Sequence, residues 1–240
     1  MTLVRRLIGL MLAMLLALSI VPAFAQDMDD TSEDPLEDLS QFEGIQHGVS
    51  RSWSIDFAAM MEMTPTGEDE DPFADMTGLF LVGGFILEFE EDGNAEDAFT
   101  SFQDLSDEEV AGELDEDGSA TIVREDLDDL GDQATAFTVT TEEEEFGGTY
   151  RYVIVQDGNY LLMAITAGTT EEDVAVADEF ASEMVDNLDG QSGPGEFDEE
   201  GGSTGGLWDI FPSGDDEMFE GLVPLGDEVI YPEEEEGDDA

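Results

Sequence analysis

The chain has 240 residues, no cysteine, 64 aspartates and glutamates against five basic residues, and a formal net charge of −59 at pH 7. Nucleic acid and anionic membranes are excluded as partners, because both are held through basic patches. Disulfides and cysteine-based zinc sites are excluded as well, and a chain of this length can bury a core large enough to do without them.

Residues 1–25 carry Arg5 and Arg6, an apolar run over 7–21, and small residues at Ala23 and Ala25 before Gln26. These are the three parts of a secretory signal, predicted to be cleaved after Ala25. The run is too short for a retained anchor, which needs about 20 apolar residues. Val4 and Gly9 around the arginine pair fit general secretion better than a twin-arginine route. The mature chain is expected to be secreted, extracellular or periplasmic, with no stable membrane anchor. Residues 26–44 are acidic and lack a basic residue, as in a disordered leader.

A globular domain is predicted over 45–189. Residues 49–63 fit a strand or a helix, and the alternation of Trp53, Ile55 and Phe57 tips the reading to a strand. Residues 64–72, with two prolines around four consecutive acids, read as a loop. The stretch 79–89 is apolar on both faces and reads as one strand bent by a bulge at Gly83-Gly84. Asn94 is placed as the cap of a helix whose buried stripe is Ala95, Ala98, Phe99, Phe102 and Leu105. Residues 120–125 and 134–141 read as strands, with a turn or short helix at 127–132 between them. A loop at 142–148 leads into Tyr150.

Two apolar runs then flank Asp157-Gly158, the pair expected at the centre of a tight hairpin turn with both residues at positive φ. A helix starting at Thr169 or Thr170 follows, with Val174, Ala177, Phe180, Ala181, Met184, Val185 and Leu188 on one side and Gly190 as terminator. Residues 190–206 read as a Gly-rich acidic linker. Residues 207–240 comprise a short apolar cluster, led by Leu207, Trp208, Ile210 and Phe211, and an acidic tail. Two readings stay open for the cluster: it folds back onto the domain, or it is a tethered docking segment for a protein partner through Trp208, Ile210 and Phe211.

The charge itself has two readings, adaptation to a saline exterior or plain solubility. Once the signal is removed, Arg51, Arg124 and Arg151 are the only cations. They are candidate ion-pair or anion contacts. His47 is the only histidine, which leaves one base for a Ser-His-Asp arrangement and too few nitrogens for zinc. An EF-hand centred on Gly118 would place Arg124 where a bidentate glutamate is required, which excludes it. Loose cation binding is expected at most, at 142–145 or 126–132. No catalytic, cofactor or metal residue is assigned, and no lysine exists for a phosphate-binding loop.

The pattern Leu130-Gly-Asp-Gln-Ala-Thr-Ala-Phe137, then Tyr152-Val-Ile-Val-Gln-Asp-Gly-Asn-Tyr-Leu-Leu-Met-Ala-Ile165, then an Ala-rich helix, resembles the bacterial secreted PsbP-like domains of the LpqN type. The resemblance implies a binding or accessory role. Members of that group are often lipid-anchored through a cysteine, which this chain lacks. The fold class expected is α+β: a twisted antiparallel sheet with amphipathic helices packed on it, flanked by disordered acidic tails. The function expected is a non-enzymatic ligand- or partner-binding domain of the cell envelope or exterior. The alternative is an extracellular hydrolase using paired carboxylates.

Overall fold

A computed structural model describes residues 42–55, 78–107, 120–141, 148–193, 195–197, 203–214 and 217–230. The export signal, the leader up to residue 41, the 56–63 stretch, the loop at 64–72, the 115–118 segment, the 142–145 run and the tail beyond 230 lie outside these residues.

The architecture is α+β. A seven-stranded sheet contains β1 (Ile45–Ile55), β2 (Leu79–Phe89), β3 (Thr121–Asp126), β4 (Gln133–Thr141), β5 (Gly148–Asp157), β6 (Tyr160–Gly168) and, beyond a minor two-stranded ribbon of β7 (Glu196–Phe197) and β8 (Ser203–Thr204), the C-terminal β9 (Leu222–Ile230). Its order is β3-β4-β5-β6-β2-β1-β9, and every ladder is antiparallel. Helix α1 (Asp92–Gln103) follows β2, and helices α2 (Glu171–Val174) and α3 (Val176–Asp186) follow β6.

Alternation along the strands sorts the core into two faces. Leu81, Phe85, Leu87, Phe137, Val139, Tyr152, Ile154, Met163 and Ile165 form one face, which meets Ala95, Ala98, Phe99 and Phe102 of α1. Val49, Trp53, Val82, Ile86, Ala136, Val153, Val155, Leu162 and Ala164 form the other, which meets Ala177, Phe180, Ala181 and Met184 of α3. Strands buried on both faces therefore carry continuous apolar runs. The two strand-to-helix runs send their helices to opposite faces of the sheet.

Several local expectations need correction. The glycines of β2 sit in unbroken register, and the irregularity on the β6 ladder falls between Leu79 and Leu81. Gly84 is required for close approach instead: a Cβ there would stand 2.8 Å from a Phe180 ring carbon, 3.0 Å from the Met163 carbonyl oxygen and 3.2 Å from a Phe211 ring carbon. The hairpin turn lies one residue later than expected. Asp157 pairs with Tyr160, so Gly158 and Asn159 are the central residues, and only Gly158 has positive φ, at +54°. Positive φ at the first central position alone is the pattern of a type II′ turn.

Asn94 does not cap α1. That helix begins at Asp92, and the Asn94 amide donates to the Glu43 carbonyl at 2.9 Å. Phe42 packs against the first core cluster, so the ordered body starts before residue 45. Thr170 does cap α2, in a capping box with Asp173. The expected single helix breaks at Ala175 because the buried Thr166 hydroxyl donates to the Val174 carbonyl at 2.7 Å. That bond occupies a carbonyl at the junction of the two helices.

At the C-terminus the apolar cluster folds back onto the domain, the first of its two readings, and the domain boundary is what needs correction. The segment that the sequence sets behind a linker forms a 3-10 turn at Gly206–Ile210, a second at Glu217–Phe219, and β9 on the open edge of β1. The domain therefore extends well past residue 189.

Candidate functional site: the arginines, the buried carboxylate and the C-terminal edge

Arg151 stands on β5 opposite Thr138 of β4 and Thr166 of β6, on the face that carries α3. Its Nε and Nη2 donate to the two carboxylate oxygens of Asp178 at 3.0 and 3.1 Å. Nη1 donates to Glu125 and to the Thr138 hydroxyl, both at 2.8 Å. Burial opposes the charge, but these bonds to Asp178 and Glu125 outweigh it and raise the guanidinium pKa. The residue ties β3, β5 and α3 together through a bidentate fork that lysine could not reproduce.

Arg124 lies on the opposite face, with its guanidinium 4.6 Å from the Phe137 ring centroid. Its Nε donates to Asp107 at 2.5 Å, and its other nitrogens donate to the carbonyls of Gln103 and Leu105. A cation at those carbonyls satisfies groups left open at the C-terminus of α1 and complements the helix dipole there. Arg51 projects over Trp208 and Phe211, 5.2 and 5.6 Å from their ring centroids. All three arginines thus hold parts of their own fold together, in ion pairs for Arg124 and Arg151.

His47 joins a cluster that sequence reasoning missed. Its Nδ1 lies 3.0 Å from Oε2 of Glu88, a buried carboxylate on β2. The same oxygen accepts the Gly193 backbone N–H at 3.0 Å, and the Tyr160 hydroxyl donates to the Gln191 carbonyl at 2.7 Å. Burial and the neighbouring Glu88 push the Tyr160 phenol pKa up. A carboxylate-oriented imidazole resembles part of a catalytic base, but the carboxylate here also holds Gly193, and together with Tyr160 it fastens residues 191–193 to the ends of β2 and β6. The available sequence signal was the single acid at position 88 inside a strand otherwise buried on both faces.

Among the described residues no group of three or more histidines and acids is placed to hold a metal ion. Residues 127–132 form a turn in which Asp129 takes positive φ, at 67°. Asp132 accepts the Gly158 N–H at 3.0 Å. Burial, followed by the charges of Asp132 and Asp189, raises the pKa of Asp157.

Trp208, Ile210 and Phe211 are buried, so they are not an exposed docking segment. They fill the part of the second face beyond α3, beside Val49, Trp53 and Phe180, and Phe219 stacks 4.2 Å from Trp53. The physical reason is that α3 is too short to cover a seven-stranded sheet alone, and apolar area left wet is costly. The two ends of the expected linker are tied together, since the Leu207 N–H donates to the Gly193 carbonyl at 2.8 Å.

Val223 (39%) and Leu225 (46%) on β9, and Val123 (48%) on β3, are the exposed large apolar side chains among the described residues. No family model, no curated protein and no solved structure matches the chain.

Proposed function

We propose that the chain is an exported, non-enzymatic binding domain of the cell envelope or exterior, built like the PsbP-like domains of the LpqN type. The export half of the reading stands on the basic, apolar and small-residue order of residues 1–25. The binding half is carried by one observation: the exposed large apolar side chains sit on the terminal strands of the sheet. Isolated apolar residues are ordinary on a surface, but on a strand edge they stand beside backbone groups able to pair with another chain.

The hydrolase alternative needs two carboxylates facing one space, about 5 to 9.5 Å apart. Glu88, the buried carboxylate among the described residues, is instead turned to His47 and the Gly193 N–H. The test is a thermal-shift screen of the mature protein across salts, divalent ions, peptides and small extracellular molecules, run beside an assay for glycoside hydrolysis. A saturable rise in melting temperature without turnover is expected. Hydrolysis abolished by a single carboxylate-to-amide substitution would overturn the proposal.

A further inference from the structure

We infer that the outer edge of β3 is a strand-addition site for an extended partner segment that is basic at one end and apolar at the other; this rests on the binding-domain reading and names the partner's chemistry. β3 is a terminal strand of the sheet and pairs with β4 in unbroken register, from Thr121 opposite Thr140 to Asp126 opposite Thr135. Just beyond it the Leu127 N–H donates to the Ala134 carbonyl at 3.1 Å. Hydrogen-bonded pairs alternate along an antiparallel ladder, so counting back from Leu127 turns the backbone groups of Glu125, Val123 and Thr121 toward β4. Those of Ile122, Arg124 and Asp126 face outward, and none of these backbone groups bonds to another described residue. They stand in line for a further strand.

Natural edges are blunted by lysine, proline or a bulge. β3 has none of these, and Val123 near its centre is 48% exposed. Arg124, the basic residue on the strand, is folded away from the edge: its guanidinium lies over the Phe137 ring and donates to Asp107 and to the carbonyls of Gln103 and Leu105. At the opposite end of the sheet, Pro224 and a register shift between Ser52 and Trp53 interrupt the β9 ladder.

Charge selects the occupant. Arg124 is offset by Asp107, and Glu125 by Arg151. Asp126, Asp128 and Asp129 are exposed and have no ion-pair partner among the described residues. The edge is therefore apolar at Ile122 and Val123 and negative from Asp126 onward. A strand antiparallel to β3 meets it with lysine or arginine at its N-terminal end and β-branched apolar residues after them, since opposite charges and β-branched pairs both favour a ladder. A second copy of this chain brings the same acids to the edge and a net charge of −59, which opposes self-pairing.

The experiment uses the mature, isotopically labelled full chain and the capped hexapeptide lysine-lysine-threonine-valine-valine-threonine. Antiparallel to β3, the first, third and fifth peptide residues stand opposite Asp126, Arg124 and Ile122. Saturable binding with amide shifts concentrated at 121–126 is expected. N-methylation of the third and fifth residues should weaken it about tenfold, whereas methylation of the second and fourth, whose N–H groups point away from β3, should leave it within about threefold. A version with glutamate in place of lysine should not bind, and Asp126→Lys should shift the preference to that version. Val123→Lys should weaken binding of the lysine peptide about fivefold, whereas Leu225→Lys, the same charge change on β9, should leave it within about twofold. Equal effects of the two methylation patterns, or of the two lysine variants, reduce the interaction to general electrostatics and overturn the site. Peptide-free dimers by light scattering, abolished by Val123→Lys, would assign the edge to a second copy and overturn the basic partner. If the peptide fails while the ligand screen finds another binder, the edge assignment fails and the binding-domain reading survives; turnover in the glycoside assay removes that reading itself.

Discussion

Gly84 and Gly158 are both required by the fold, for different physical reasons. Nothing lies within 4 Å of a Cβ built at Gly158, so its constraint is the backbone alone, at φ +54°. Gly158→Val should cost about 1–2 kcal/mol through left-handed strain, and Gly158→Asn less, because asparagine tolerates that region. At Gly84 the backbone is ordinary and the space is taken by Phe180, Phe211 and the Met163 carbonyl. Gly84→Ala should therefore cost about 1–3 kcal/mol through overpacking. Urea denaturation of the three variants checks both, and a Gly158→Val protein as stable as the parent would show that the turn is not under this constraint. Tyr152 offers a change of opposite sign. Its hydroxyl is buried without a hydrogen-bond partner among the described residues, and burial pushes the phenol well above its ordinary pKa. An unsatisfied buried hydroxyl costs about 1–3 kcal/mol. Tyr152→Phe should leave stability unchanged or raise it, and a loss of more than about 1 kcal/mol in the same assay would contradict this.

At the scale of elements, what was legible in the sequence was local. Partly alternating, β-branched runs marked β3 and β4 within a residue, apolar runs on either side of Asp157-Gly158 marked β5 and β6, a continuous apolar run marked β2, and helical spacing marked the buried stripe of α1, because each signal lies inside the element it describes. What was not legible depended on distant partners. Thr166 interrupts the last helix from a neighbouring strand, Asn94 is drawn from its capping role by Glu43, and His47 meets Glu88 across 41 positions. The Thr170 cap is local and gives a clean test. Thr170→Ala should cost about 1 kcal/mol at neutral pH. The hydrogen bond from the Thr170 side chain is the main cause of the lowered Asp173 pKa, with burial opposing and Thr169 assisting. A depressed carboxylate contributes stability above its unfolded value and loses it as pH falls through its folded value. The difference between parent and variant should therefore narrow as pH drops below the ordinary 3.8 of aspartate. Thermal melts from pH 7 to pH 2.5 read it, and a constant difference would remove Asp173 from the account.

Across the whole molecule, two decisions were beyond local pattern: where the domain ends, and what the acidity does. A linker of Gly, Ser and acids looks the same whether its far end is free or docked, and the trough that receives Trp208 exists only once β1, β2 and α3 are assembled. Five apolar side chains from this segment, Leu207, Trp208, Ile210, Phe211 and Phe219, are buried there. At about 1.5–3 kcal/mol for each fully buried side chain, deletion of residues 191–240 should lower stability by several kcal/mol or unfold the domain, and an unchanged melting temperature would contradict the packing. The acidity calls for a separate experiment. With 64 acids against five basic residues and a net charge of −59, the carboxylates far outnumber the cations that could offset them, so they repel one another. Their repulsion is stronger in the compact state than in the unfolded chain, where the same charges lie farther apart, so screening should favour folding. The Debye length falls from about 30 Å at 0.01 M salt to about 3 Å at 1 M, which spans the distances between surface groups. The melting temperature of the mature protein should therefore climb from millimolar to molar sodium chloride. The steepest part should come below about 0.2 M, where screening changes most. Potassium chloride should act alike, because screening depends on ionic strength and not on the identity of the cation. A flat or falling curve would leave solubility as the only role of the charge, and a rise produced by one cation alone would point to specific ion binding.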